Sequence, residues 1–294
     1  MNRRYPRREH LLQLLGSATL VAGCKSGGTV QSASEKGTRS LDRLAVILNT
    51  MTPALKRDPR GTLVALSELG FADIEFRDTA GLEVAEWKAI TAERGLRGIA
   101  SGGSMYELLN KLDDLIAFAH TFETPYVVCY YPWPTGKNDQ GLAGFDNLAQ
   151  QLNDIGKRLK AEGLRLAYHN HDLEFEIIDG VVPYERILQR TDPALVTMEM
   201  DLYWVKKGGS EPLDLLRRYP GRFELFHVKD MERAPGTGKV CLGEGRIDFG
   251  ELIAAARETS GPRHFIWERE GDYDADTQLR CADQSAKYLK SLRY

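Results

Sequence analysis

A regular alternation of short apolar runs with amphipathic stretches, repeated eight times between residues 41 and 294, most constrains the fold of this chain. Each apolar run has the length and composition of a buried β-strand, and each amphipathic stretch has the apolar spacing of a helix. Successive runs lie about 30 residues apart, which is the size of one strand–helix unit in a closed barrel. The pattern therefore predicts a single α/β domain over residues 41–294, a (β/α)8 TIM barrel.

A doubly wound open sheet is the alternative interpretation of the same alternation. Its nucleotide-binding forms carry a glycine-rich loop after a strand, and no predicted strand of this chain is followed by one. The closed barrel is therefore favoured. Within it, helices are predicted over residues 84–94, ended by Gly95, and over residues 105–122 without a break. The predicted strands are 44–48, 72–76, 96–100, 126–130, 164–170, 195–200, 223–228 and 264–267.

The first 40 residues have the features of a targeting segment and a tether. A basic leader containing Arg7-Arg8 precedes an apolar stretch, and Val21-Ala22-Gly23-Cys24 matches a lipoprotein cleavage site. Residues 1–23 are predicted to be a lipoprotein signal peptide of the twin-arginine type, and residues 24–40 a flexible tether. The prediction is an exported protein, periplasmic or anchored in the outer membrane, that meets a membrane only through a lipid on Cys24. A cytosolic protein with a frayed basic N-terminus is the alternative.

Composition argues against other partners. The net charge of −3 gives no electrostatic reason to expect nucleic acid. No internal stretch approaches the roughly 20 apolar residues of a membrane helix. Three cysteines besides Cys24 are widely spaced and form no disulfide framework, so one bridge among Cys129, Cys241 and Cys281 stays open, as does the oligomeric state.

Residue types that bind metals recur at the ends of four consecutive predicted strands. The fifth strand carries His169 and His171 on one face, the sixth ends in Asp201, the seventh in His227 and the eighth in Glu268. In a closed barrel the carboxyl ends of all strands converge at one mouth, where barrel enzymes hold their active sites. A mixed set of histidines and carboxylates at one height predicts a site for one divalent metal ion. Mn, Zn, Co and Fe fit such a set better than Ca.

Other polar side chains face the same mouth. Glu75, Lys229 and His171 are the candidates for proton transfer or for stabilising an oxyanion. Glu199 lies one layer below Asp201 and could hold a ligand in place. One such residue at a strand end is commonly structural, but repetition on four strands favours a functional site. The aromatic candidates for the pocket wall are Trp133, Tyr203 and Trp204.

These segments resemble the sugar phosphate isomerase/epimerase superfamily, with its xylose isomerase-like TIM barrel. The resemblance covers about residues 41–294 and implies one divalent metal held by Glu, Asp, His and Glu. The last three ligands fall on Asp201, His227 and Glu268, whereas the first falls on His169, with His171 as the fallback. The motifs that carry it are Tyr168-His169-Asn170-His171-Asp172-Leu173-Glu174-Phe175, Met200-Asp201-Leu202-Tyr203-Trp204, His227-Val228-Lys229-Asp230, Leu242-Gly243-Glu244-Gly245-Arg246-Ile247-Asp248 and Trp267-Glu268.

The resemblance implies a metal-dependent enzyme for a small-molecule sugar or keto-sugar, an isomerase or epimerase that works through an enediolate. A histidine at residue 169 departs from the family's first glutamate and so from its two-glutamate proton shuttle. Two alternatives therefore stay open. One is a keto-glycoside lyase or hydratase on the same scaffold, and the other is a surface lipoprotein that binds carbohydrate without turning it over.

Overall fold

The computed structural model describes residues 37–77, 79–133, 140–234, 240–261, 263–271 and 273–294. In this part of the chain, eight parallel strands pair in sequence order, and the first pairs with the last to close a barrel. The predicted single-domain (β/α)8 TIM barrel is therefore confirmed. The strands are β1 Leu44–Ile47, β2 Phe71–Phe76, β3 Arg97–Ser104, β4 Tyr126–Tyr131, β5 Arg165–His169, β6 Val196–Asp201, β7 Phe223–Val228 and β8 His264–Trp267.

The segments between the strands are mainly helical. The helix over residues 84–94 ends where predicted, because Gly95 adopts the left-handed conformation (φ 66°) that stops a helix. The helices are α1 Thr52–Arg57, α2 Pro59–Glu68, α3 Val84–Arg94, α4 Met105–Asn110, α5 Leu112–Thr121, α6 Gly141–Ala161, α7 Pro183–Arg190, α8 Leu202–Lys207, α9 Pro212–Arg218, α10 Phe249–Ser260 and α11 Ala275–Ser291.

The structure corrects one predicted helix and adds two that were not predicted, α1 and α8. The helix predicted over residues 105–122 is two helices, α4 and α5, separated at Lys111. Asn110 donates its side-chain amide to the carbonyl of Tyr106 at 2.7 Å, and such local bonds compete with the helical pattern. Helix α8 had no clear sequence signal, because its six residues include aromatic and β-branched types. It begins where the Asp201 carboxylate accepts the Trp204 amide at 2.9 Å.

The inside of the barrel has three layers. Asp73 lies at the amino end with two arginines, and an apolar layer follows above it. A layer of histidines and carboxylates fills the carboxyl end. The apolar layer separates the two charged ends; its residues are Ala45, Ile47, Ile99, Ala100, Val128, Tyr130, Ala167, Leu225 and Ile266.

The cysteine question left open by the sequence is answered in part. Cys241 and Cys281 form a disulfide, with Cα atoms 5.4 Å apart, which ties the segment after β7 to α11. Cys129 is a buried free thiol. Among the described residues, no helix is both long and apolar enough to cross a membrane. The predicted signal peptide and most of the predicted tether lie outside the described residues and remain predictions.

Candidate active site

Four predicted ligands meet at the carboxyl mouth of the barrel. His169, Asp201, His227 and Glu268 each offer one ligand atom, and these atoms all lie within 4.8 Å of one another. All four side chains are buried, with at most 4% of any residue exposed. Glu75, Glu199 and His227 form a second such group, so the two groups share His227. We call these six residues the mouth cluster.

The sequence pattern predicted that the four candidate ligands stand at one height in the barrel. In the structure they stand at different heights. In the strand register His169 lies beside Glu199, and Asp201 lies beside His227. Glu268 lies one residue beyond Trp267, which pairs with Val228, so it stands two positions above the level of His227. Strands of a barrel are staggered, so matching positions climb around the ring. The side chains are long enough to bridge these differences in height, so their ligand atoms still lie close together.

Histidines and carboxylates alternate through the mouth cluster. His227 uses both ring nitrogens, with Nδ1 3.0 Å from Glu268 Oε2 and Nε2 3.0 Å from Glu75 Oε2. His169 Nδ1 lies 3.1 Å from Glu199 Oε2, and the same oxygen is 3.4 Å from His227 Nε2. Each ring is therefore oriented by a carboxylate, which is how metal-binding histidines are commonly held.

The mouth cluster contains four carboxyl groups and two histidines, all buried. Burial and the crowding of carboxylates raise the pKa values of three of these groups. Burial, helped by Glu75, raises the pKa of Glu199 well above its usual range. Burial also raises the pKa of Asp201, to about 8. Burial alone would lower the pKa of His227, but Glu199 and Glu75 outweigh it and raise that pKa well above the usual range. The carboxylates therefore create a field that favours a positive charge at the centre of the cluster.

Two buried oxygens identify the kind of group that fits this field. Asp201 Oδ1 accepts the Trp204 amide, whereas Asp201 Oδ2 has no hydrogen-bond partner among the described residues. Glu199 Oε1 likewise lacks one there. A buried carboxylate oxygen without a partner is costly, and a bound cation would remove that cost. Mixed imidazole and carboxylate donors suit a divalent transition metal.

Lys229 lies above the cluster, inside an aromatic clamp. Its Nζ is 4.4 Å from the Trp204 ring centroid and 4.9 Å from that of Tyr203. It forms an ion pair with Glu270 at 2.9 Å and lies 3.9 Å from Glu268. Burial alone would lower the pKa of Lys229, but Glu268 and its neighbours raise it, so the ammonium stays charged. The predicted position of Lys229 at the mouth is therefore observed, and Tyr203 and Trp204 form the wall beside it.

His171 also lies at the mouth, next to the cluster. Its ring centroid is 4.9 Å from that of His169 and 5.4 Å from that of Trp204. Its Nδ1 is buried and has no hydrogen-bond partner among the described residues. Burial lowers the pKa of His171 to about 4, so the ring is neutral near pH 7 and can accept a proton.

Several supporting residues were not recognised from the sequence. Tyr130 donates its hydroxyl to Glu75 Oε1 at 2.6 Å, while the other oxygen of that carboxylate, Oε2, contacts His227. Asn49 donates to Glu268 Oε1 at 3.4 Å. Glu174 is fully buried and accepts both the Tyr168 hydroxyl, at 2.5 Å, and the His171 amide, at 2.9 Å. Only Glu174 had a signal, since it belongs to the motif around His171.

The loop that ends in Asp248 is organised by one buried carboxylate. Asp230 accepts the backbone amides of Met231, Gly243, Gly245 and Ile247 at 2.8–3.2 Å. A Cβ on Gly245 would lie 2.1 Å from Asp230 Oδ1, so only glycine allows this approach. The disulfide at Cys241 holds the same loop, whose residues 242–248 were recognised from the sequence as one of the motifs that carry the family resemblance.

Comparison with known proteins agrees with the observed fold. A family model described as a xylose isomerase-like TIM barrel matches residues 63–292. Inosose dehydratase of Bacillus anthracis is 32% identical over 162 residues, which cover 50% of this chain and 54% of that protein. Inosose dehydratase of Clostridium perfringens is 24% identical over 185 residues, 58% of each. The chain thus spans a little more than half the length of the curated relatives it matches.

Solved structures show the same fold. A sugar phosphate isomerase/epimerase from Parabacteroides distasonis superposes with a TM-score of 0.72 and 22% identity. The match covers 91% of this chain and 98% of that one. At this level of identity the likeness concerns the barrel and carries no information on substrate.

Proposed function

The chain belongs to the xylose isomerase-like TIM barrel family, and from that premise we propose that it is a metal-dependent isomerase or epimerase of a sugar or keto-sugar. The convergence of His169, Asp201, His227 and Glu268 within 4.8 Å carries the proposal. A divalent ion held by these four side chains would supply a Lewis acid that polarises a substrate carbonyl. Its identity stays open among Mn, Zn, Co and Fe.

The protein's own groups account for the proton transfers. His171 is neutral near pH 7, its buried Nδ1 has no hydrogen-bond partner among the described residues, and it would take the proton from the carbon next to the carbonyl. Lys229 is a charged donor for the oxygen on which negative charge develops. Glu75 is engaged by Tyr130 and His227, so we assign it the orientation of His227 ahead of direct proton transfer. Trp204 and Tyr203 limit the access of water to Lys229.

Dehydration of a cyclic ketone is the second candidate. The matched relatives from Bacillus anthracis and Clostridium perfringens are named inosose dehydratases. Removal of water next to a ketone begins with the same proton abstraction as isomerisation. It needs one base rather than a pair of carboxylates, and His169 stands where the family's first glutamate is expected. The substrate would then be a keto-cyclitol or keto-sugar.

Proton exchange in deuterated water tests the proposal. The protein is incubated with Mn²⁺, Co²⁺ or Zn²⁺ and with fructose, a pentulose, a keto-inositol, a keto-sugar acid or a pentulose phosphate, and the carbon-bound protons are followed by NMR. Exchange next to the carbonyl is expected in the parent and in the surface control His120→Gln, and not in His171→Gln. A rearranged sugar identifies an isomerase or epimerase, and loss of water a dehydratase. Sugar binding without exchange under any metal would contradict the proposal and favour a binding lipoprotein.

Export to an oxidising compartment is a separate proposal. The basic leader, apolar stretch and Cys24 support it, as does the Cys241–Cys281 disulfide, because bridges persist outside the reducing cytosol. Mass spectrometry of the native protein would test it after alkylation without reductant. An N-terminal acylated Cys24 with Cys241 and Cys281 protected is expected. An intact Met1 with three free thiols besides that of Cys24 would overturn export.

A further inference from the structure

A cleft beside the mouth cluster takes no part in the proposed chemistry. It lies between the loops that follow β1 and β2, encloses about 360 Å³ and is lined in part by Leu48, Asn49, Thr52, Leu55, Lys56 and Arg77. We call it the Arg77 cleft. Asn49 belongs to its wall and donates to Glu268, so the cleft opens one side chain away from the candidate metal ligands.

Arg77 is stacked on an aromatic ring and has no carboxylate partner among the described residues. Its guanidinium carbon lies 4.1 Å from the centroid of the Tyr130 ring, whose hydroxyl is bonded to Glu75. Stacking fixes the plane of a guanidinium and leaves the N–H groups at its edge available to a ligand. Within the described part of the chain, no carboxylate lies within 4.0 Å of this side chain.

Lys56 supplies a second cation to the same cleft. It lies in the last turn of α1 and has no ion pair with any described residue, whereas the adjacent Arg57 is paired with Asp276 at 2.8 Å. Glu107 is engaged elsewhere, because it forms hydrogen bonds to Ser104 in the capping box of α4. Those bonds lower the pKa of Glu107, and the charge of Arg77 lowers it further. The cleft therefore combines the apolar side chains of Leu48 and Leu55 with two cations that form no ion pair with a described residue.

We propose that the Arg77 cleft binds an anionic group of the substrate, a carboxylate or a phosphate, while the carbonyl end of the molecule lies at the mouth cluster. A planar, pre-oriented guanidinium matches the two oxygens of either group, and Lys56 adds a point charge. The substrate would then be a sugar acid or a sugar phosphate rather than a neutral sugar. Assigning the anion to the substrate rests on the proposed function, but the anion site itself does not.

The site can be tested without turnover. The side-chain Nε–H signal of Arg77 is followed by NMR in the full-length protein during titration with acetate, with inorganic phosphate, and with chloride at matched ionic strength. Saturable binding of acetate or phosphate is expected at Arg77 and not at the control, Arg57. Saturation by acetate alone identifies a carboxylate site, and tighter saturation by phosphate identifies a phosphate site.

The exposed variant Lys56→Gln completes the test. Loss of one charged contact should weaken anion binding at Arg77 by about ten-fold, while Arg57 stays unchanged. A linear drift that matches chloride, an equal response at Arg57, or unchanged binding in Lys56→Gln would overturn the proposal. Any of these results would leave the proton-exchange test of the proposed function unaffected.

Discussion

The two ends of the barrel both bury charge, but they balance it differently. At the amino end, Asp73 is paired with Arg43 at 2.7 Å and with Arg97 at 2.8 Å. Glu224 is paired there with Arg165 at 2.8 Å and accepts the Tyr126 hydroxyl. At the carboxyl end, the described groups that can offer a positive charge to the carboxylates of the mouth cluster are histidines and Lys229, with no arginine paired to them, and two of the carboxylate oxygens lack hydrogen-bond partners among the described residues.

This difference distinguishes a structural ion pair at the amino end from the proposed metal site at the carboxyl end. A carboxylate with two arginines is satisfied by the protein itself, so it needs nothing from outside. The mouth cluster keeps carboxylates together that repel one another, which costs stability unless a cation binds. Buried charge alone therefore does not distinguish the two ends of this barrel, whereas buried carboxylate oxygens without a partner among the described residues support the proposed metal site at the carboxyl end.

Matched substitutions at the two ends should give the largest contrast. Asp201→Asn removes a ligand and should lower kcat/KM by more than about a hundred-fold, since loss of a supporting contact alone costs 10–100-fold. Asp73→Asn should leave kcat/KM nearly unchanged and lower the free energy of unfolding by about 2 kcal/mol, because both arginines are partly exposed. Steady-state kinetics and urea unfolding check both. A fully active Asp201→Asn would erase the contrast.

Glu174 should show how a buried carboxylate behaves when it has no cationic partner among the described residues. Burial raises its pKa from the usual 4.5 to about 7. The folded state then binds a proton that the unfolded chain has released, so the stabilisation present below pH 4.5 is lost as pH rises towards 7. The loss relative to Glu174→Gln should reach about 3 kcal/mol. Urea unfolding of both proteins from pH 4.5 to 7.5 measures it, and a constant difference between them would contradict the assignment.

Two tyrosines of β4 offer the finest comparison. Tyr130 bonds Glu75 at the mouth, and Tyr126 bonds Glu224 at the amino end, at 2.6 and 2.9 Å. Tyr130→Phe should lower kcat by about ten-fold, because Glu75 loses a bond that fixes its position beside His227. Tyr126→Phe should cost about 1 kcal/mol of stability and leave kcat unchanged. Equal kinetic effects at both ends would mean that Tyr130 has no role in orienting Glu75.

The sequence predicted what depends on local pattern. Strands β5 to β8 end close to where their apolar runs end, so His169, Asp201, His227 and Glu268 could be placed at one mouth without a structure. Strand β3, in contrast, runs to Ser104, past its predicted end at residue 100. Val84–Arg94 could be bounded because Gly95 stops it locally. The predicted functions of these side chains are still to be tested.

Pairings between distant segments were beyond the sequence. Glu75 and His227 are 152 residues apart, and their contact depends on closure of the whole barrel. His169 lies opposite Glu199 because β5 and β6 pair in one particular register. That register depends on the stagger of the whole barrel and cannot be predicted from a local sequence pattern. The disulfide could not be assigned because it requires the loop after β7 to lie against α11. The break at Lys111 was missed because the apolar spacing of residues 105–122 continues across it.

The metal content of the purified protein tests the central claim most directly. It should be measured by mass spectrometry after incubation with Mn²⁺, Co²⁺ or Zn²⁺ and removal of excess metal, for the parent, His169→Ala, Asp201→Ala and the amino-end control His264→Ala. We expect about one ion per chain in the parent and in His264→Ala, and loss of that ion in the other two variants. A parent that binds none of the three metals, or variants that retain the ion, would contradict a metal site at the mouth cluster.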